Sequence, residues 1–300
     1  MSEGLAKDGC ALELETWLEE TRLWAEAALE QHVDAETTLP PRLHEGMRYA
    51  LFGEGKRLRP ALVRLIARHL GGSDDEAELP AVALELVHTY SLVHDDLPCM
   101  DDDELRRGRP TCHVVYGEAL GVLVGDALQT KAFELCSRAD PVRAQAYTRV
   151  LATASGSRGM VGGQVLDLES VGTDHEQVRS IHSMKTAALF SASAEMGAIS
   201  AGADDGQRER ASRLGELLGL AFQATDDLLD VTGDAATLGK TPGKDAELER
   251  LTLVKALGFE AAEQEAARLA AAAEKAAQEL VGAESERLGS LIRYVLRRRA

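Results

Sequence analysis

Aromatic residues are scarce in this sequence, at 4% of its 300 residues. Runs of β-branched residues are few as well, whereas alanine, leucine, glutamate and arginine, all good helix formers, are abundant. This shortage of strand-forming sequence argues against a sheet-based architecture. We therefore predict an all-α fold.

The four cysteines lack the spacing of metal ligands, which makes free thiols in a reducing compartment the simplest interpretation. They are Cys10, Cys99, Cys112 and Cys136. The sequence also lacks an apolar run of about 18 residues, the length needed to cross a membrane. Its acidic N-terminus has no signal-peptide core. These absences predict a cytoplasmic protein without a transmembrane segment.

An excess of positive charge is absent too, since the net charge is -17. Such a charge argues against general nucleic-acid binding, because the phosphate backbone would be repelled. It would also repel any phosphorylated ligand. A site for such a ligand therefore needs basic residues concentrated around it.

Helical periodicity covers most of the chain, from a first predicted helix at residues 12–33 that follows a disordered segment at 1–10. We predict an acidic turn at 71–78 and a pair of helices at 204–230. No linker and no repeat of fixed period is evident. We therefore predict a single domain over residues 1–300.

Two acidic clusters stand out, and each follows an apolar helical run. The first, at residues 94–109, reads HDDLPCMDDDELRRGR, and the second, at 223–230, reads QATDDLLD. Uncompensated carboxylates beside buried helix faces are costly, and two facing clusters would repel each other unless cations lay between them. Hard divalent cations such as Mg²⁺ take carboxylate oxygens and bridge to phosphate. The clusters predict a metal–diphosphate site between two helices rather than two solvated helix ends.

The spacing within the first cluster leaves its metal ligands open. In a regular helix Asp95 and Asp102 share a face because they are seven residues apart, whereas Asp101 points elsewhere. Pro98 interrupts the helix, since it removes a backbone donor and clashes with the preceding turn. The resulting bulge could bring Asp101 into line instead, and spacing alone does not choose.

Basic residues gather just before a buried helix, in the segment GKRLRP at residues 55–60. Cations at a helix N-terminus oppose the helix dipole, so an anionic partner is indicated there. The glycine-rich segment GMVGGQVLDL at 159–168 is not a phosphate loop, because no Lys-Ser/Thr pair follows it.

Five segments make the chain resemble the trans-prenyltransferases, or polyprenyl synthases, and within them the bacterial farnesyl diphosphate synthases. They are GKRLRP at 55–60, HTYSLVHDDLPCMDDDELRRGRPTCH at 88–113, GMVGGQVLDL at 159–168, HSMKTAALF at 182–190 and AFQATDDLLDVTGDAATLGKTPGKD at 221–245. The resemblance implies an isoprenoid synthase-type bundle of roughly a dozen helices around a central cavity, usually as a homodimer.

The resemblance also implies Mg²⁺-dependent condensation of isopentenyl diphosphate with an allylic diphosphate, with three ions present when substrate is bound. The implied metal ligands are Asp95, Asp101 and Asp226, which resolves the open choice in favour of Asp101. The implied contacts of the allylic diphosphate are Arg106, Lys185 and Lys240, and those of isopentenyl diphosphate are Lys56, Arg59, His88 and Arg107. Thr186 and Gln223 would place oxygens near the developing carbocation.

Two positions depart from the family pattern. Glu104 stands where relatives usually have another aspartate, beyond the ligand positions, so little depends on it. After the second cluster a lysine followed by Thr-Tyr is common, but this chain reads RLTL at 250–253. No diphosphate role is therefore transferred to Arg250.

The residues just before Asp95 predict the length of the product. Ser91 is four positions upstream, nearly beneath Asp95 on the helix, and the bulkier Tyr90 is rotated further round. In the family this pair governs the cavity floor, and an aromatic residue five positions before the first aspartate resembles farnesyl synthases. We predict a C15 product, with a C20 geranylgeranyl product as the alternative.

Three other interpretations compete with prenyl transfer. The His94-Asp95 dyad in a helical chain suggests an HD-type phosphohydrolase, which would need histidines as metal ligands. A terpene cyclase would share the fold and the first cluster, but it normally pairs them with an Asn/Ser/Glu metal triad. An inactive structural relative is disfavoured because the mapped polar positions carry competent residues.

Overall fold

The computed structural model describes residues 2–170, 172–232, 251–282 and 286–296. Helices dominate this part of the chain, and the predicted all-α fold is confirmed. In order they are α1 (Ser2–His32), α2 (Pro41–Leu51), α3 (Leu58–His69), α4 (Asp74–Asp95), α5 (Cys112–Tyr116), α6 (Glu118–Ser137), α7 (Pro141–Ser155), α8 (Met160–Glu169), α9 (His175–Ile181), a π-helix (His182–Ala187), α10 (Ala188–Ser200), α11 (Asp205–Thr232), α12 (Leu253–Leu257), α13 (Phe259–Val281) and α14 (Glu286–Leu296). Between α4 and α5, β1 (Leu105–Arg106) pairs antiparallel with β2 (Arg109–Pro110).

Helix α4 begins earlier than predicted, because the acidic residues at 74–76 form its first turn rather than a loop. Ser73 caps the helix: its side chain accepts a hydrogen bond from the Glu76 backbone, and the Glu76 side chain accepts one from the Ser73 backbone. Acidic side chains in a first turn also complement the helix dipole. The prediction of an acidic turn over 71–78 was therefore wrong beyond Ser73.

Helix α11 is one element of 28 residues, not the predicted pair. Two glycines inside it permit close packing on the preceding helix rather than ending it. A Cβ on Gly215 would lie 2.4 Å from the Phe190 carbonyl oxygen, and one on Gly219 would lie 2.6 Å from the Ala187 Cα. The glycines therefore mark a helix–helix contact.

Helix α1 begins at Ser2, so the structure continues it through the segment predicted to be disordered. Residues 5–7 (Leu-Ala-Lys) are good helix formers. Adding residues to a helix that has already formed is much easier than nucleating one. The downstream part of α1 therefore extends toward its N-terminus.

Two apolar clusters form the core, and α10 contributes to both. Phe190 and Ala194 lie in the cluster shared with α11, α13 and α14. Leu189 and Met196 lie in the cluster shared with α4, α6 and α7. Helix α10 is thus enclosed on almost every side, and it supports the π-helix that directly precedes it.

In the described part of the chain, no helix combines the length and the apolar character needed to cross a bilayer.

Candidate active site

The first acidic cluster forms where α4 ends and the chain folds back on itself. The Asp101 backbone N–H donates to the Asp95 carbonyl oxygen at 2.8 Å, and the Asp103 N–H donates to the Asp96 carbonyl at 3.2 Å. Asp101 is buried at 7% exposure, whereas Asp102 is exposed and has a left-handed backbone with φ 51°. The turn brings the Asp101 backbone against Asp95, in line with the choice of Asp101.

Arg106 forms hydrogen bonds with the second aspartate of this cluster, Asp96. Its Nε donates to both Asp96 carboxylate oxygens at 2.7 and 2.9 Å, and an Nη donates to Oδ1 at 2.5 Å. Burial opposes the charged form, yet the bonds to Asp96 raise the pKa of Arg106, so it stays cationic. The β1–β2 hairpin, which carries Arg106, is thereby tied to the end of α4.

The predicted isopentenyl diphosphate residues act on one another electrostatically. Burial lowers the pKa of Arg59 to about 10, helped by Arg107, while Glu85 and Asp226 oppose the shift. Burial and the charges of Arg59 and Arg107 also hold the pKa of His88 well below its usual range, which keeps the imidazole neutral. The influence of Asp226 on Arg59 indicates that the second acidic cluster lies within electrostatic range of these residues.

Two further observations suit an anion beside Arg59. Among the described residues, its buried Nε has no hydrogen-bond partner, and its guanidinium lies 4.8 Å from the Phe190 ring centroid. Lys56, on the loop just before α3, is exposed, with its Nζ 5.6 Å from the centroid of the Tyr294 ring on α14. Buried cationic nitrogen that faces no acceptor is costly unless a ligand supplies one.

Arg57 has a supporting role that sequence reasoning missed. It is buried with φ 48°, pairs with Glu85 at 2.6 Å, and donates to the Leu51 carbonyl at 2.6 Å. Removing one partner of such a buried pair leaves an uncompensated charge. The signal was Glu85 itself, a lone acid in an apolar stretch of α4, which required a cation.

The π-helix carries Lys185, whose Nζ lies 2.6 Å from the Asp167 carboxylate on α8. Close approach of α8 makes this pair possible, because a Cβ on Gly163 would lie 2.2 Å from the Lys185 backbone nitrogen. Sequence reasoning recognised the segment at 159–168 but assigned no role to Asp167. The π-helix itself was not predicted, although such elements are frequent at functional sites.

A chain of side-chain hydrogen bonds links the π-helix to the second acidic cluster. Thr186 Oγ1 donates to Gln223 Oε1 at 2.7 Å, and Gln223 Nε2 donates to Asp227 Oδ1 at 3.0 Å. The other Asp227 oxygen accepts the Leu253 backbone N–H at 2.7 Å and lies 3.2 Å from His182 Nε2. Thr186 and Gln223, which the resemblance pairs, are thus in direct contact.

The proposed chain-length residues lie on α4, close to the first cluster. Tyr90 is 5% exposed, packs in the core, and meets the His94 ring edge-on at 5.7 Å. Burial and the charge of Asp95 raise the pKa of Tyr90 to about 12, so its hydroxyl stays protonated. Ser91 Oγ donates to the His88 carbonyl at 2.9 Å. Their role at a cavity floor stays a prediction.

His94 is committed to helix packing. Its Nε2 donates to the Val122 carbonyl of α6 at 2.9 Å, and the ring occupies the space that a Cβ on Gly125 would fill, 2.0 Å away. The metal-ligand role that an HD-type phosphohydrolase requires of this histidine is therefore not supported.

Lys240 and Arg250 lie outside the described residues. The remaining predicted site residues fall at the end of α4, on the loop before α3, on the hairpin, on the π-helix and on α11.

The chain is similar to known proteins of one family. A family model described as polyprenyl synthetase matches residues 40–285. The chain is 44% identical over 265 residues to the farnesyl diphosphate synthase of Escherichia coli, covering 85% of this chain and 88% of that protein. It is 44% identical over 264 residues to large subunit 1 of the heterodimeric geranylgeranyl pyrophosphate synthase of Arabidopsis thaliana, covering 84% of this chain and 70% of that one.

Solved structures show the same fold. An FPP/GFPP synthase from Zymomonas mobilis matches with a TM-score of 0.84 and 37% identity, covering 95% of this chain and 99% of that one. A geranyltransferase from Helicobacter pylori complexed with magnesium and isoprenyl diphosphate matches with a TM-score of 0.83 and 33% identity, covering 94% and 97%.

Fold and matches together make this chain a prenyltransferase of isoprenoid biosynthesis. It belongs to the polyprenyl synthetase family, as the five sequence segments predicted. The names of its relatives include makers of both farnesyl and geranylgeranyl diphosphate, so they do not choose a product.

Proposed function

We propose that this protein condenses isopentenyl diphosphate with dimethylallyl and then geranyl diphosphate, in the presence of Mg²⁺, to give farnesyl diphosphate. The observation that carries this proposal is that the basic segment and the second acidic cluster converge: the Arg59 guanidinium lies 4.8 Å from the Phe190 ring, which in turn lies 5.2 Å from the ring of Phe222, next to Gln223. Asp226 and His88 both interact electrostatically with Arg59.

Magnesium fits the donor chemistry of Asp95, Asp101 and Asp226, which offer carboxylate oxygens. Within the described residues, no three His, Cys, Asp or Glu side chains are gathered closely enough to hold an ion by themselves. Mg²⁺ usually takes one or two carboxylates and completes its shell with phosphate oxygens and water, so this sparse set suits ions that bind with the diphosphate. When bound, about three such ions would neutralise the leaving group.

The residues of the site would divide the reaction between them. Arg106, Lys185 and Lys240 would hold the allylic diphosphate, whose C–O bond breaks with the electron pair leaving on oxygen. The double bond of isopentenyl diphosphate attacks the allylic cation to form the new C–C bond. A C2 proton then passes to the departing diphosphate. No side-chain nucleophile is required.

Tyr90 supports a C15 product. It is bulky, buried and five residues before Asp95, where the growing tail would run down the face of α4. The C20 alternative is supported by the geranylgeranyl synthases among the relatives, at 42 to 44% identity. The contribution of Tyr90 to the floor is what separates the two products.

A second copy of this chain is the partner that we propose for the surface of α5 and α6. Val114, Val115, Val122 and Leu123 are each more than 40% exposed on these consecutive helices. Large exposed apolar patches mark interaction sites. In sedimentation analysis Leu123→Glu should shift a dimer to monomer, whereas Val142→Glu, on exposed α7, should not. A wild-type monomer would contradict the proposal.

Incubation with dimethylallyl and isopentenyl diphosphates tests the whole assignment. We expect an EDTA-sensitive C15 alcohol after phosphatase treatment and chromatography. A C20 alcohol would favour the alternative, a cyclic hydrocarbon would indicate a terpene cyclase, and orthophosphate without prenyl product would indicate a phosphohydrolase. The single-domain organisation is part of this proposal, and the cytoplasmic location stays a prediction.

A further inference from the structure

Asp227 follows a predicted metal ligand in the chain, and its carboxylate accepts hydrogen bonds from the Gln223 amide and the Leu253 backbone N–H. We propose that Asp227 is a positioning residue that fixes the direction of the hydrogen bonds in the chain Thr186–Gln223–Asp227. Its effect is that the Thr186 hydroxyl turns lone pairs, and not its proton, toward the reacting carbocation. This inference rests on the proposed prenyl transfer.

The direction follows from what each group can donate. An ionised carboxylate only accepts hydrogen bonds, so the end of the Gln223 amide that meets Asp227 has to be the NH₂ group. The amide oxygen then faces Thr186, where it accepts the single hydroxyl proton at 2.7 Å. With that proton engaged, only lone pairs remain on the other side of the Thr186 oxygen.

Asp227 is itself held as an acceptor. It is 4% exposed and accepts hydrogen bonds from two elements, Gln223 Nε2 on α11 and the Leu253 backbone N–H at the start of α12, while His182 Nε2 at the start of the π-helix lies 3.2 Å away. These contacts fix the position of the carboxylate. The orientation of Gln223 is therefore built into the fold.

The direction matters because the reacting centre is positive. A fixed oxygen lone pair near a developing cation stabilises it, and a hydroxyl proton in the same place destabilises it. Rotating the Gln223 amide by half a turn would replace the lone pair of Thr186 that faces the cation with the hydroxyl proton. The heavy atoms would otherwise keep their places. The effect should therefore fall on the ionisation step and spare substrate binding.

The first variant is Asp227→Asn, which keeps size and shape. Its oxygen can still accept the Leu253 N–H, but its NH₂ group then faces Gln223 and forces that amide to turn over. The amide NH₂ would next donate to Thr186, whose proton turns toward the cavity. We expect kcat to fall on the order of 10- to 100-fold, as when one preorganised group is lost, with an unchanged KM for isopentenyl diphosphate.

The double variant Asp227→Asn/Gln223→Glu restores the direction. The carboxylate at position 223 accepts from both the new amide at position 227 and the Thr186 hydroxyl, and the pair keeps one acid and one amide. We expect kcat to recover to within about threefold of wild type. In a Thr186→Val background, Asp227→Asn should have no further effect on kcat.

Unchanged kcat in folded Asp227→Asn would overturn the proposal, as would a folded double variant that stays slow or effects that add to those of Thr186→Val. Should the single variant fail to fold, the double variant decides alone. A neutron structure of the wild type locates the Thr186 deuteron independently of activity, and a deuteron directed into the cavity would overturn the inference. A wild type without prenyl product would instead refute the proposed function.

Discussion

Each acidic cluster contains an Asp-Asp pair, and in both the second aspartate is bonded to other protein groups. The kind of group that contacts it differs between the two clusters. Asp96 is held by a cation, Arg106, on a hairpin that folds back from ten residues downstream. Asp227 is held by an amide, a backbone N–H and a histidine around a continuous helix. The first cluster therefore depends on a loop that is tied down by charge, and the second on a rigid helix.

This difference separates two duties within one site. Asp96 contacts Arg106, for which we propose a role in binding the allylic diphosphate. Asp227 contacts Gln223, for which we propose a role near the carbocation. We therefore expect both clusters to bind metal, but we expect their second aspartates to position different groups.

The largest effect is expected when the first aspartate of either pair is removed. Asp95→Ala and Asp226→Ala should each lower kcat at least about 1000-fold, because each removes charge stabilisation worth several kcal/mol in the transition state. Product formation under saturating substrates measures it, with circular dichroism as the check on folding.

Asp205→Ala is the matched control, since this residue starts α11 but its side chain is fully exposed. Its turnover should stay within about twofold of wild type. Near-normal turnover in either Asp95→Ala or Asp226→Ala would break the two-cluster model.

A contrast within the first cluster should be nearly as large. Asp101→Asn should lower kcat about 100-fold or more by removing a metal ligand, whereas Asp102→Asn should have little effect. Asparagine tolerates the left-handed backbone at position 102, so that variant introduces no strain. Kinetics at varied Mg²⁺ concentration would distinguish them, and the reverse order of effects would show that Asp102 is the ligand.

The basic residues should separate by kinetic parameter. Arg59→Ala should raise the KM for isopentenyl diphosphate about tenfold, because it removes binding made equally in the ground and transition states. Lys185→Ala should mainly lower kcat, since its charge is needed as the allylic diphosphate leaves.

Steady-state measurements with each substrate varied in turn would decide this. Equal changes in both parameters for both variants would contradict the division of the site. The melting temperature of each variant should also be measured, because removing Lys185 breaks its ion pair with the buried Asp167.

The smallest effect on rate, but a visible one on product, is expected at Tyr90. Tyr90→Ala should shift the product from C15 toward C20 or longer, because the growing tail could enter the vacated volume. Tyr90→Phe keeps the ring and should keep C15. Chromatography of the dephosphorylated alcohols reads the result, and an unchanged C15 peak in Tyr90→Ala would show that Tyr90 is ordinary core.

The sequence predicted features on regular helices better than features that depend on turns. Periodicity placed the second cluster correctly, because Gln223, Asp226 and Asp227 lie on a regular helix. It could not choose between Asp101 and Asp102, since that choice depends on backbone hydrogen bonds across a turn. The family resemblance favours Asp101, and this choice stays a prediction.

Other features were hidden because they are properties of contacts between segments. The π-helix at 182–187 packs against both α8 and α11. No local sequence pattern predicts it. Asp167 meets Lys185 only after α8 has docked. The predicted pair of helices at 204–230 is a single helix, whose glycines Gly215 and Gly219 pack against the backbone at Phe190 and Ala187.

The enclosure of α10 has a consequence for how product length can diversify. Its polar side chains also contact α11: Ser191 is hydrogen-bonded to Ser212, and Glu195 forms an ion pair with Arg208. Helix α10 therefore holds the adjoining π-helix in place. Tyr90, which we propose as the chain-length residue, packs in the second core cluster, whereas Thr186 on the π-helix is hydrogen-bonded to Gln223 of α11. We therefore expect substitutions at Tyr90 to change product length while the residues around the allylic diphosphate keep their positions, which would make chain length and chemistry separately adjustable.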